Sequence, residues 1–166
     1  MRARFWKKKR LQREGFRCNF LSASLPRMYD LDERTLEKIW AEYDPKGTGR
    51  LTGDGFDRFV HDCAETLINI MRPIFARRLI SKSPTMTPDE CNLEFDRKYS
   101  VTDISGSDPI RQVIRSALIS AVSPRDPDAI EQSELIDNWP SFADLFRMVQ
   151  SGKLDTCDVS SIGICE

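Results

Sequence analysis

The chain has 166 residues, 40% hydrophobic and 31% charged, which is enough for a globular domain with a core of its own and needs no disulfides or metal to hold it. A formal net charge of −1 gives no global signal for nucleic-acid binding. Five cysteines, odd in number, without a CxxC pair and beside a single histidine, argue against a zinc cluster or a secreted disulfide framework and for reduced thiols in an intracellular compartment.

Residues 1–29 read as a basic, poorly ordered lead-in. The first 17 residues, "MRARFWKKKRLQREGFR", hold eight Lys/Arg against one Glu. Pro26 and the Ser-rich "LSAS" break any single helix there. Lys7, Lys8, Lys9 and Arg10 suit an anionic membrane surface, with Phe5 and Trp6 at the interface. A mitochondrial presequence, a nuclear-import patch and a solvated tail are the other readings. There is no apolar signal segment at the start. No run of about 18 apolar residues occurs, and "LINIMRPIFARRLI" is broken by Arg72, Pro73, Arg77 and Arg78.

The first clear helix spans about 33–43. Asp32 is its N-cap, and Leu36, Ile39, Trp40 and Tyr43 recur at helical spacing. Asp44-Pro45 ends it, and "PKGTG" is turn chemistry. A second helix is expected over about 53–71, with Phe56, Phe59, Val60, Cys63 and Leu67 as its apolar stripe; Arg72-Pro73 ends or kinks it. A short basic helix follows at 74–81, and then the loop "SKSPT". Thr87-Pro88-Asp89-Glu90 opens a helix to about Lys98 through a Thr cap, Pro at the first position and Glu three residues after the cap. "SVTDISGS" is a loop or a short strand. Asp108-Pro109 opens a helix over about 109–122, with Ile110, Val113, Ile114, Ala117, Leu118 and Ala121 toward a core. Asp126-Pro127 opens one over 127–138. Pro140 opens the last, to Gln150, with Gly152 past its end. Residues 151–166 form a tail without periodicity.

The expected fold is all-α: an EF-hand-like helix–loop–helix pair or pairs over 30–150, with additional C-terminal helices. Residues 44–55 set the functional question. A twelve-residue calcium loop takes oxygen ligands from positions 1, 3, 5, 7 and 9 and a bidentate Glu at 12, with glycine at 6. Asp44 at position 1, Gly49 at 6 and Leu51 at 8 fix the register. Lys46 then stands at 3, Thr48 at 5, Arg50 at 7, Thr52 at 9 and Gly55 at 12. Asp44, Thr48, the Arg50 carbonyl and Thr52 are thus the only metal-ligand candidates, and the bidentate carboxylate is missing. No cofactor is expected, with calcium at low affinity at most. Trp40, Phe56, Phe59 and Val60 are the candidate groove for a partner helix. His61 lacks a nucleophile or base arrangement, and no enzyme motif occurs.

"LDERTLEKIWAEYDPKGTGRL" resembles the EF-hand-like segment that follows the last pore helix of voltage-gated calcium and sodium channels. The resemblance rests on Leu31, Asp32, Glu33, Ile39, Trp40, Ala41, Glu42, Tyr43, Asp44, Pro45, Gly49, Arg50 and Leu51. It covers about 30 residues, 31–60, and fades beyond Val60. "IRQVIRSALISAV" at 110–122 is the nearest counterpart of the closing helix of the family's second, degenerate hand. The calmodulin-binding IQ motif expected after such a domain has no convincing match. The resemblance implies a regulatory domain on the cytoplasmic face of a membrane, a pore upstream, protein helices as partners and no nucleic acid. The alternatives are a free-standing calcium-binding adaptor, or a structural subunit of a mitochondrial or axonemal complex that retains a dead hand.

Overall fold

The computed structural model describes residues 31–99, 109–126 and 128–153. Helix α1 spans Glu33–Tyr43, as its periodicity predicts. Asp32 caps it, accepting the Thr35 N–H at 2.8 Å. Leu36, Ile39, Trp40 and Tyr43 form its buried face. A three-residue strand, β1 (Arg50–Thr52), leads directly into α2 (Gly53–Lys82).

Helix α2 runs through Pro73 as one element of 30 residues, so the proline does not end it and residues 74–81 are not a separate short helix as expected. Proline removes the bond to the carbonyl four residues back. Here both Pro73 and Asn69, which carries that carbonyl, lie on the exposed face. The opposite face is held by packing: Met71 and Phe75 are buried, and Arg72 pairs with Asp96 at 2.8 Å. Tertiary contacts therefore carry the helix past a local breaker.

Helix α3 (Pro88–Tyr99) starts where its capping sequence indicates. The Thr87 hydroxyl and N–H both donate to Glu90 Oε2, at 2.9 and 2.8 Å, and the Glu90 N–H returns to Thr87 Oγ1 at 3.3 Å. Buried Cys91, Phe95 and Tyr99 lay α3 along the second half of α2, where Phe75 meets Phe95 and Tyr99 edge to face. Arg72 and Lys98 flank this cluster over the rings of Phe95 and Phe75.

Helix α4 (Pro109–Val122) matches its expected bounds and buries Ile110, Val113, Ile114, Leu118 and Val122. The segment after it departs from expectation. Asp126-Pro127 does not open a helix: Asp126 Oδ1 accepts the Asp128 N–H and its carbonyl accepts the Ala129 N–H, which forms a turn. Strand β2 (Ala129–Glu131) follows, then α5 (Gln132–Gln150). A Glu131/Glu134 capping box starts α5. Helix α5 passes through Pro140, which sits on the exposed side opposite buried Trp139, Phe142, Phe146 and Val149. After Ser151 it closes with paired bonds, Gly152 N–H to the Val149 carbonyl and Lys153 N–H to the Met148 carbonyl.

The described residues are thus mostly helical, with five helices, and carry a small antiparallel sheet that the all-α expectation lacked. Its register pairs Arg50 with Glu131, Leu51 with Ile130 and Thr52 with Ala129. Leu51 and Ile130 are both buried in a core that α1, the first half of α2, α4 and α5 surround. Among the described residues, no helix is long and apolar enough to cross a membrane.

Candidate functional site

The loop between α1 and β1 is built around Asp44. This carboxylate is nearly buried and already engaged: Oδ2 accepts the Gly49 N–H at 2.7 Å, and Oδ1 lies 3.0 Å from the Thr48 hydroxyl. The single Thr48 hydroxyl proton is shared between Asp44 and the Arg50 carbonyl, also at 3.0 Å. The Thr48 backbone amide, with Gly49 N–H and the Thr48 hydroxyl after it, holds the Asp44 carboxyl below its usual range against the opposing effect of burial. The indole N–H of buried Trp40 has no hydrogen bond of normal geometry, yet it adds to the same lowering. Gly47 and Gly49 turn the loop with φ of +65° and +74°, values that side-chain-bearing residues adopt at a cost.

These are the contacts of a loop that closes on itself. The atoms of Asp44, Thr48 and Arg50 that a cation would take are occupied by one another and by amides. Thr52 occupies the N-cap position of α2 and makes no side-chain cap bond. Gly55 stands at the twelfth position of the loop as counted from Asp44. A Cβ added at Gly55 would lie 2.9 Å from the Tyr43 backbone carbonyl, with Leu51 next nearest. The start of α2 therefore packs against the end of α1 at the point where a calcium loop needs a bidentate Glu. Lys46 is exposed at the third position. Among the described residues, no three His, Cys, Asp or Glu side chains converge as a metal site.

The partner loop lies across the small sheet. The Gly49 carbonyl accepts the Gln132 N–H at 3.0 Å, and Arg50 pairs with Asp126 at 3.1 Å. Glu134 closes this second loop, taking the Glu131 N–H at 3.0 Å on one carboxylate oxygen and the Arg125 N–H at 3.3 Å on the other. Sequence reading missed Glu134. A Ser/Thr cap would have flagged it, but the cap here is Glu131.

The four candidate groove residues come together, but not as an open groove. Trp40, Phe56, Phe59 and Val60 are 4%, 2%, 1% and 5% exposed, so they form core in this structure. Tyr43 meets Phe59 edge to face at 5.1 Å and donates its hydroxyl to Asp62 at 2.7 Å. Arg115 of α4 lies over Phe56 and reaches Asp57 at 3.4 Å, joining α4 to the start of α2. His61 lies 3.4 Å from Glu65 on the half-exposed side of α2. Lys7, Lys8, Lys9 and Arg10 lie outside the described residues.

No known protein-family model, curated protein or solved structure matches this chain.

Proposed function

We propose that residues 31–153 form a paired EF-hand-like domain that works as a regulatory interaction module without bound calcium, of the kind that follows the pore of voltage-gated cation channels. The observation that carries this reading is the antiparallel pairing of Leu51 with Ile130, which joins two helix–loop–strand–helix units through their loops. Counting from Leu51 as the eighth position of the first loop makes Ile130 the eighth of a second, with Ser123 first and Glu134 twelfth. Helix α4 is then the opening helix of the second unit, not the closing helix that the resemblance suggested. Internal bonds of Asp44 and Glu134 do in each loop what a metal does in a sensor: they fix the backbone. The residues of the channel-like segment, 31–60, supply the first unit.

A partner helix reaches Trp40, Phe56, Phe59 and Val60 only when the surrounding helices part, so binding draws on a minor open state. The free-standing calcium adaptor is the weaker reading, because Gly55 abuts the Tyr43 carbonyl at the position of the missing ligand. The test is the native mass of the polypeptide that carries residues 31–60, by immunoblot of fractionated source cells. A membrane-bound band much larger than the chain's 19.1 kDa supports the channel-tail reading. A band near 19.1 kDa in the soluble fraction overturns it.

A further inference from the structure

The turn between α2 and α3 contains two Ser/Thr-Pro dipeptides four residues apart, Ser83-Pro84 and Thr87-Pro88. Residues 81–85 are all exposed. Ser83 leaves the helical region at the end of α2, with φ −139° and ψ 83°, and the following proline disfavours a return to it. The Met86 N–H donates to the Ser83 carbonyl at 3.0 Å, which places Pro84 at the leading corner of a tight turn. The sequence from 77 to 88 carries Arg77, Arg78 and Lys82 and no acid, so this corner is basic in a chain whose net charge is −1.

We infer that Ser83 is a phosphorylation site for a proline-directed Ser/Thr kinase, and that the phosphate resets the charge of this corner. Three Ser/Thr-Pro hydroxyls compete among the described residues, and their surroundings separate them. The Thr87 hydroxyl is held in the capping box of α3 by Glu90. Ser123 sits at φ +48°, donates toward the Ser120 carbonyl and is followed by a loop that Glu134 closes. Ser83 alone combines an exposed position at the opening of a tight turn with a side chain outside any such bond.

In the step, the Ser83 Oγ attacks the γ-phosphorus of a nucleoside triphosphate held by the kinase. The bond from that phosphorus to the β,γ-bridging oxygen breaks, the nucleoside diphosphate leaves, and the hydroxyl proton passes to the kinase's base. The product adds about −1.5 to −2 charges at neutral pH. The three cations Arg77, Arg78 and Lys82 then face about half to two-thirds as much negative charge, so the corner's net charge falls from clearly basic to about +1 to +1.5. The helix C-terminus disfavours an anion, and Lys82 with Arg78 in the last turns offsets this. The inference stands whether or not the paired-hand reading holds.

The experiment incubates the full chain with a proline-directed Ser/Thr kinase, magnesium and ATP, and maps the product by mass spectrometry. Ser83→Ala, Thr87→Ala and Ser123→Ala variants and a free peptide of residues 77–90 are run beside it. The expected result is one phosphoryl group on Ser83 of the folded chain, lost in Ser83→Ala and kept in the other two variants. Label on Thr87 or Ser123 in place of Ser83 overturns the assignment. So does labelling of the peptide alone, and so does labelling of neither, since no substrate is then present in the turn.

Discussion

Replacing Leu51 by Ala tests the joint between the two halves of the fold. Leu51 is 1% exposed, lies opposite Ile130 in the strand register, and feeds the core beneath both loops. Truncation removes its buried methyl groups and leaves a cavity that the short sheet cannot collapse without losing register. Buried Leu→Ala changes cost about 2–5 kcal/mol, and a tightly framed site belongs near the middle, at about 3 kcal/mol. At about 2–4 °C per kcal/mol for a chain of this size, Tm falls by about 6–12 °C. Urea unfolding followed by far-ultraviolet circular dichroism measures the loss. Ile130→Ala should lose a similar amount. The double variant should depart from additivity by at least about 0.5 kcal/mol, because residues in direct contact couple. A loss below about 1 kcal/mol for Leu51→Ala, or strict additivity of the pair, refutes the joint.

Three further outcomes are expected. Gly55→Ala should destabilise the chain by about 1–3 kcal/mol, because the new Cβ meets the Tyr43 carbonyl at 2.9 Å; an unchanged urea midpoint contradicts that contact. Asp44, Asp32 and Glu90 all have carboxyls held below their usual values, chiefly by bonds from Thr48, Thr35 and Thr87. Their stabilisation is therefore present above the unfolded values of about 3.9 for Asp and 4.3 for Glu, and is lost as pH falls through the lower folded values. Urea midpoints measured from pH 6 down to 3 should show that decline, and Asp44→Asn should flatten part of it; a midpoint that rises on acidification opposes the sign. Burial, with Asp62 adding, pushes the Cys63 thiol up, so Cys63 should resist a thiol reagent at pH 8 until the chain unfolds. Rapid labelling of Cys63 in the native chain is the contrary result.

Local chemistry was readable where local chemistry decides. Helix α1 with its Asp32 cap, the glycine-centred loop and the Thr87/Glu90 start of α3 all follow from residues within five positions of one another. The turn chemistry of the loop was equally legible, since Gly47 and Gly49 stand where the backbone takes positive φ. What escaped was non-local. Pro73 looked like an end to α2, but the α3 aromatics and the Arg72–Asp96 pair hold the helix together beyond it. Asp126-Pro127 looked like a helix start, but pairing of Ile130 with Leu51, far away in sequence, draws that segment into a strand. The closeness of Gly55 to Tyr43 has no sequence signal at all, because it depends on the angle between α1 and α2. Nor does periodicity reveal whether Trp40, Phe56, Phe59 and Val60 line an open groove or fill a closed core; both uses put apolar residues at the same spacing.

The proposed hand-like pair should hold its shape without metal. Isothermal titration of the full chain with calcium, in millimolar magnesium, tests it most directly, with circular dichroism at each end point. The expected result is no saturable binding below about 10 µM and no change in helicity. Saturable binding below that level, abolished by Asp44→Ala, would contradict the claim and make the loop a working sensor.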